Sequence, residues 1–430
     1  MVDEPHPLEG RDRTLLAALG LPAFGIALAY TLVTTYLPVL VERLSGPAIT
    51  GFLISGEGLL SLFLPVIVGS WSDSISTRLG SRMPFILAGT VLTVVGLLII
   101  PADTGSLTAI GVGLAIFFIG YFVYYSPYYA LFPDLVPAAQ HGRSQGAQGL
   151  FRSAGMLLSL AVGGLLLHLW QPLPFLVGAA AITCVTVVLY LSVRERCGRG
   201  SPRDQPSRNG WSVEWELLRD NDDIRSWTIA NSFWEAALGA LRVFVVLYFT
   251  RGLGLSLPQV SGALALVGVA VVSAPLSGKL ADRYGHRPVM TTAVWIFALG
   301  LLLPLFTINT IFIAGIVPVA CAAVVLLTLP YSVLMGLLPA HRHHGVGAGL
   351  FGVSRGLGIL AGPLLAGLAV QLLEPVQFLV FHETDGYSAV FGVASLLLLA
   401  SIPVLGRIRM DPREAPGKQD TGECRAASDN

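Results

Sequence analysis

Five ionisable side chains stand inside apolar runs of membrane-spanning length: Glu57, Arg152, Glu235, Arg242 and Arg355. Left unpaired at the centre of a bilayer, each costs roughly 2.5 to 3.5 kcal/mol, so such residues face a polar cavity or one another. A carboxylate there can take up and release a proton. That makes Glu57, flanked by Ser55, Gly56 and Gly58, a candidate proton carrier, with Glu235 competing for the role. A guanidinium offers a planar fork of donors that suits hydroxyls, a carboxylate or a phosphate alike. Arg152 and Arg355 each follow closely on a Gly-Leu-Phe triplet, at 149–151 and 349–351, so two corresponding segments present the same group.

Around these charges lie further polar positions. Tyr121, Tyr124, Tyr125, Tyr128 and Tyr129 recur at helical spacing along one face. Tyr121, Tyr124 and Tyr125 are candidates to line a binding cavity, because a tyrosine ring stacks on apolar surface while its hydroxyl bonds polar groups. Tyr128 and Tyr129 fall where an aromatic belt is expected at the membrane boundary. Asn231, Glu235, Gly239 and Arg242 form a second stripe. Glu235 and Arg242 are about 10 Å apart along the helix, too far for a tight pair, and Gly239 between them is expected to leave a gap in the cavity wall. Thr31, Thr34 and Thr35 are weaker candidates, since intramembrane threonines usually bond their own helix.

Charge also concentrates in a turn that occurs twice. Gly69-Ser-Trp-Ser-Asp73 leads to Arg78-Leu-Gly80-Ser-Arg82, and Gly278-Lys-Leu-Ala-Asp282 leads to Arg283-Tyr-Gly285-His-Arg287. Gly69 and Gly278 are expected to let helices pack closely. Asp73 and Asp282, with Arg78, Arg82, Arg283 and Arg287, would form an ion-pair latch at the membrane surface. His341, His343 and His344 read as a solvated loop, and no metal site is expected. Cys184, Cys197, Cys321 and Cys424 have no metal-ligand spacing and imply no disulfide framework. No nucleotide loop or catalytic triad occurs, so no enzyme, cofactor or nucleic-acid partner is expected.

The elements that must hold these residues are transmembrane helices. Only 12% of the 430 residues are charged, 54% are hydrophobic and the net charge is zero; the mean hydropathy is +0.72. Spans 1 to 6 are expected near 14–41, 47–70, 84–101, 107–132, 144–168 and 172–193. Spans 7 to 12 are expected near 225–250, 257–277, 289–308, 309–338, 345–373 and 387–405. The first residues are polar and the first apolar run is longer than a signal-peptide core, so that run is expected to be the first span. This divides the chain into an N-terminus (1–13), a six-helix bundle (14–193), a basic linker (194–224), a second bundle (225–406) and a tail (407–430). In the linker, Trp211, Trp215 and Leu218 could share the face of an interfacial helix. With both termini cytoplasmic, 21 of the 26 Lys and Arg fall in cytoplasmic segments, and only Arg43 and Arg251 face outward.

The segment SPYYALFPDLVPAAQHGRSQGAQGLF at 126–151 parallels LPYSVLMGLLPAHRHHGVGAGLF at 329–351, which places spans 4 and 5 in register with spans 10 and 11. Such parallel repeats put a substrate site at their interface near the bilayer midplane. The doubled turn, the six-plus-six pattern and the basic linker resemble the major facilitator superfamily. The longer first turn ending in RMPFI, and PYYALFPDL…GR after span 4, resemble the glycoside-pentoside-hexuronide cation symporters and proton-coupled sucrose carriers. Arg152 falls where the melibiose-type carriers of that group have a span-5 arginine. Ser61 and Pro65, however, stand where those carriers have acidic cation ligands.

The sequence is therefore read as an all-α integral membrane protein with twelve helices in two pseudosymmetric bundles. Its expected work is secondary transport of a small solute by alternating access, coupled to a proton or another cation. The resemblance implies a sugar or glycoside substrate. A carrier or exporter of drugs, lipid-like molecules or anionic metabolites is the alternative, and a non-transporting sensor or assembly factor on the same fold is a second. A monomer in the cell membrane is expected.

Overall fold

The computed structural model describes residues 10–408 apart from 76, 78, 137–140, 198–215, 271–272, 310–314 and 339–342. Among the described residues the regular elements are all helices, ten of them apolar and long enough to cross a membrane. The first, Gly10–Ser74, contains spans 1 and 2, which meet at Gly46 with φ at +80°. A residue preceding proline is disfavoured in helical geometry, and Gly46 accepts a left-handed conformation that places Pro47 at the start of span 2. Spans 3 to 7 are Met83–Ala102, Leu107–Leu135, His141–Leu169, Leu173–Cys197 and Asp222–Leu247. Span 8 comprises Leu257–Ala270 and Ala274–Tyr284; span 9 is His286–Gly300, span 10 Ile316–Leu337 and span 11 His343–Leu373. Ala389–Leu405, at 17 residues, is span 12.

Span 9 ends sooner than its apolar run suggests. Pro304 carries no N–H to continue the ladder, and Leu303–Leu305 tightens into a 3-10 turn instead. The doubled charged turn shares one backbone feature: Gly80 and Gly285 sit at φ of +86° and +89°, a region that favours glycine. In the linker, Trp211 and Trp215 lie outside the described residues, whereas Leu217 and Leu218 pack on the hydrophobic core. His341 and the side chains of His343 and His344 also lie outside them.

Packing within each half follows one plan. Span 5 crosses span 1 where Gly155 meets the backbone of Phe24, and span 11 crosses span 7 where Gly358 and Gly362 meet the backbone at Ser232 and Ala236. A methyl group at any of these positions would overlap main chain. The buried indoles of span 7 are also satisfied: Trp227 donates to the Pro330 carbonyl at 3.1 Å and Trp234 to Ser401 Oγ at 2.8 Å.

The two halves touch along only part of their length. Here the terminal end of the bundle is the one where span 1 begins and span 12 finishes. From mid-depth to the far end, span 2 lies against span 11, with Gly51 on Pro363, Gly58 on Leu360 and Gly367 on Pro47. Span 5 lies against span 8, where Gly164 meets Leu257 and donates its N–H to Ser261 Oγ at 2.8 Å. At the far end Arg251, in the π-helical turn Tyr248–Gly252 that closes span 7, pairs with Glu42 of span 1 at 3.2 Å. Gly69 and Gly278 have open space where a side chain would lie, as do Gly146, Gly149 and Gly352. The expected close packing at Gly69 and Gly278 is thus corrected: in this conformation nothing lies within 4 Å of where a side chain at either would stand.

Candidate functional site

At mid-depth one hydrogen-bonded chain crosses between the halves. Tyr30 of span 1 donates its hydroxyl to Glu57 Oε1 of span 2 at 2.5 Å, and Arg242 of span 7 donates to the same Tyr30 oxygen. The Arg242 guanidinium also lies 5.4 Å from the Tyr30 ring centroid. Glu57 is 2% exposed, so its charge is held by Tyr30 and, through it, by a cation from the opposite half. Gly58, next to it, admits the backbone of span 11, whereas Gly56 faces open space. Tyr30 did not stand out in the sequence. The available signal was a tyrosine beside three threonines in an apolar run, with Glu57 on the following helix.

The stripe on span 7 behaves differently from expectation. Asn231 Nδ2 donates to Ser354 Oγ at 2.8 Å, and Glu235 Oε2 lies 3.9 Å from Arg355 Nε. A side chain at Gly239 would meet Pro363 at 3.5 Å and Ile359 at 3.7 Å, ordinary contact distances. Asn231, Glu235 and Gly239 therefore face span 11, and Gly239 is a helix-packing position rather than a gap in a cavity wall. Arg242, one turn further along, leaves this face for Tyr30. Thr34 bonds its own helix at the Tyr30 carbonyl.

The tyrosines of span 4 divide into two groups. Tyr121 stacks on Tyr30 at 4.9 Å between centroids and on Tyr125 at 5.5 Å, and Tyr125 lies 4.2 Å from Tyr129. These rings form a column leading from Arg242 toward the terminal end. Tyr124 and Tyr128 turn instead into the N-terminal half: Tyr124 lies against Thr186 and the backbone at Gly89, and Tyr128 donates to the Leu19 carbonyl at 2.7 Å. The placement of Tyr124 in the cavity is corrected accordingly. Positions three and four apart share a broad face, but only the i, i+4, i+8 row points between the halves.

Arg152 is exposed, and the described hydrogen bonds and ion pairs do not join it to the column. Arg355, 31% exposed at its side chain, lies beside Glu235 of span 7 within its own half. A separate cleft of about 370 Å³ opens at the far end, beside Arg43, His168 and Leu257. None of the deep charges lines it.

In the doubled turn the contacts described for the arginines lie within their own halves. Arg82 donates to Ser72 at 2.7 Å, Arg283 lies over the Tyr284 ring and Arg287 donates to the Gly406 carbonyl at the end of span 12. Among the described residues Asp282 makes no ion pair in this conformation. The Asp73 side chain and Arg78 lie outside the described residues.

The sequence matches the profile of the Major Facilitator Superfamily over residues 19–271 and 236–425. It is 26% identical to the multidrug resistance protein MdtG of Escherichia coli strain SMS-3-5, an alignment covering 91% of this chain and 96% of that one. In three dimensions it is similar to a bacterial homologue of the human lysosomal transporter Spinster in an inward-facing, occupied conformation, with a TM-score of 0.74 at 14% identity, covering 94% of this chain and all of the other. The nucleoside transporter NupG superposes with a TM-score of 0.72 at 15% identity, covering 91% and 98%. With two six-helix halves, a polar chain bridging them at mid-depth and family matches running nearly end to end, the protein belongs to the major facilitator superfamily and is a multi-pass membrane transporter rather than an enzyme.

Proposed function

We propose that the protein is a secondary active transporter for small amphipathic organic solutes, coupled to protons through Glu57 and working by alternating access in the cell membrane. The observation that carries this reading is the Glu57–Tyr30–Arg242 chain between the halves. While Glu57 is ionised it is a strong acceptor for Tyr30, whose oxygen is then turned toward Arg242. Protonation removes that charge, weakens the bridge and frees Arg242, so that one proton changes how firmly the halves are joined. Both termini lie in the cytoplasm in this reading, and the conformation described is open to that side. The charged turns then form their latch only when the terminal ends meet.

The amphipathic substrate is preferred to the sugar expected from the symporter resemblance because the tyrosine column stacks on itself. Both faces of Tyr121 are occupied by neighbouring rings, leaving edges and hydroxyls rather than an open platform for a sugar. The similarity to a multidrug resistance protein points the same way. The test is Glu57→Gln in proteoliposomes. Accumulation driven by a pH gradient should be lost, whereas exchange between equal solute pools persists, since exchange needs no net proton movement. Retained pH-driven accumulation would move the proton role to Glu235.

A further inference from the structure

The cleft at the far end is walled by both halves and lies apart from the deep charges. Val39, Leu40 and Arg43 come from the last turns of span 1, residues 167–171 from the end of span 5, and Leu257 from the start of span 8. Its apolar floor is well buried, with Val39, Leu40 and Leu167 each 4% exposed. One turn deeper the same three helices are joined. There the Tyr36 hydroxyl donates to the Leu160 carbonyl at 2.7 Å and lies 3.3 Å from Ser261 Oγ, which accepts the Gly164 N–H.

The rim carries donors and no acid. Arg43, His168, Trp170 and Gln171 are all exposed at the cleft, and no carboxylate lines it. Glu42, beside Arg43 in the chain, is engaged by Arg251. Among the described residues neither Arg43 nor His168 has an ion pair or a side-chain hydrogen bond. The turn that presents Trp170 and Gln171 is held by the Leu173 N–H, which donates to the Trp170 carbonyl at 2.9 Å. A guanidinium with its fork of donors unengaged, in a cleft free of carboxylates, suits a phosphate.

Size and surroundings choose the ligand. A volume of about 370 Å³ takes a phosphate with its glycerol but not a whole lipid, so acyl chains must lie outside. A path for them is present: Leu169 on the cleft wall continues into Leu165 and Leu158, 66%, 41% and 44% exposed, at spacings of four and seven along one side of span 5. Trp170, at the end of the helix, has the position of an aromatic side chain at headgroup level. A soluble phosphate would use the donors alone and leave the leucine row bare.

We propose that this cleft binds an anionic phospholipid from the leaflet at the far end, with its phosphate on Arg43 and His168 and an acyl chain along the leucine row of span 5. The bound lipid meets span 8 of the opposite half at Leu257, so it is held best while the far end is closed, and by linkage it favours that closure. The effect on closure rests on the alternating-access reading above, whereas binding does not.

Binding is measured by native mass spectrometry of the purified full-length protein, titrated with phosphatidylglycerol, phosphatidylcholine of the same chains, glycerol phosphate and inorganic phosphate. The first phosphatidylglycerol should bind at least fivefold tighter than phosphatidylcholine and at least tenfold tighter than either soluble phosphate. Arg43→Gln should lower the lipid preference at least twofold, and Arg43→Gln with His168→Gln should abolish it. Leu169→Ser should weaken both lipids alike. Equal affinity for the two lipids, or a preference that survives the double substitution, overturns the site. Soluble phosphates that match the affinity of the lipid overturn the lipid and make a free anion the occupant. Closure is read separately, from dipolar distances between labels at Ile49 and Phe378, both exposed at the far end of opposite halves, with the native cysteines replaced by serine. In nanodiscs of phosphatidylcholine, added phosphatidylglycerol should raise the short-distance population at least twofold in the parent and leave the double variant unchanged. Unchanged distances in the parent, with the lipid preference retained, would overturn the coupling to closure and keep the site. Absence of gradient-driven flux for any solute would overturn the transporter reading and leave the lipid site standing.

Discussion

The two ends of the bundle are made by the same helices and use the same residue, yet glycine does opposite things at each. Toward the far end Gly51, Gly58, Gly164 and Gly367 bring backbones of the two halves together; at the terminal end Gly69, Gly146, Gly149 and Gly278 touch nothing across the gap. Small residues at a helix surface permit close approach without enforcing it. Gly51, Gly58, Gly164 and Gly367 therefore mark where the halves are in contact in the present conformation, whereas Gly69 and Gly278 make no such contact.

Substitutions at the two ends should break this comparison in different ways. The largest effect is expected at Gly58→Leu, where the new side chain would overlap the backbone of Leu360 and the Gly356 carbonyl. Main chain cannot move aside as a side-chain tip can, so a loss of about 3 kcal/mol or more is expected, read as lower thermal stability with the far end forced apart. A parent-like melting temperature would mean that this contact does not hold the halves.

Gly239→Leu comes next. Its nearest neighbours are Pro363 and Ile359 at ordinary distance, so a larger side chain strains the span 7–span 11 contact by about 1 to 2 kcal/mol. Solute affinity of the folded fraction should stay near that of the parent. Blocked binding with unchanged stability would restore Gly239 to the cavity wall.

Arg251→Ala removes a partly exposed ion pair with Glu42. Such pairs are worth at most about 1 kcal/mol, so the far end should loosen only slightly, and less still at high salt. A salt-independent loss of closure would assign Arg251 a larger role.

The smallest effect on stability belongs to Gly69→Leu, which meets open space and should change stability by no more than about 0.5 kcal/mol, read from the melting temperature. Transport should nevertheless fall, because the side chain stands in the way when the terminal ends close. Full transport in this variant would show that Gly69 is not a contact of the other state.

The twelve spans were legible because hydrophobic length and the repeated turn are properties of local sequence, and Gly80 and Gly285 share a positive φ. The exceptions have local causes, such as Pro304 shortening span 9. The site was legible as a set of charges but not as a set of partners. Glu57 and Arg242 both stood out, yet the link between them is Tyr30, whose hydroxyl has value only because three helices from two halves converge on it. Helical spacing placed all the span-4 tyrosines on one broad face. Whether a ring meets the other half or its own depends on crossing geometry, which sent Tyr124 inward and Tyr125 into the column. Likewise, a glycine between two charges reads as a gap until the helix that fills it is seen.

The most direct test measures both ends of the bundle at once. Spin labels at Ser70 and Leu280 report the terminal end, and labels at Leu44 and Ser256 the far end, in protein whose native cysteines are replaced by serine. Pulsed dipolar distances are then collected from neutral to acidic pH, in the parent and in Glu57→Gln. If the Glu57–Tyr30–Arg242 bridge governs the exchange, the two distances in the parent should change in opposite directions as pH falls. Glu57→Gln should show the low-pH distribution at every pH. A variant that retains the parent's pH-dependent shift, or two ends that widen together, would contradict the account.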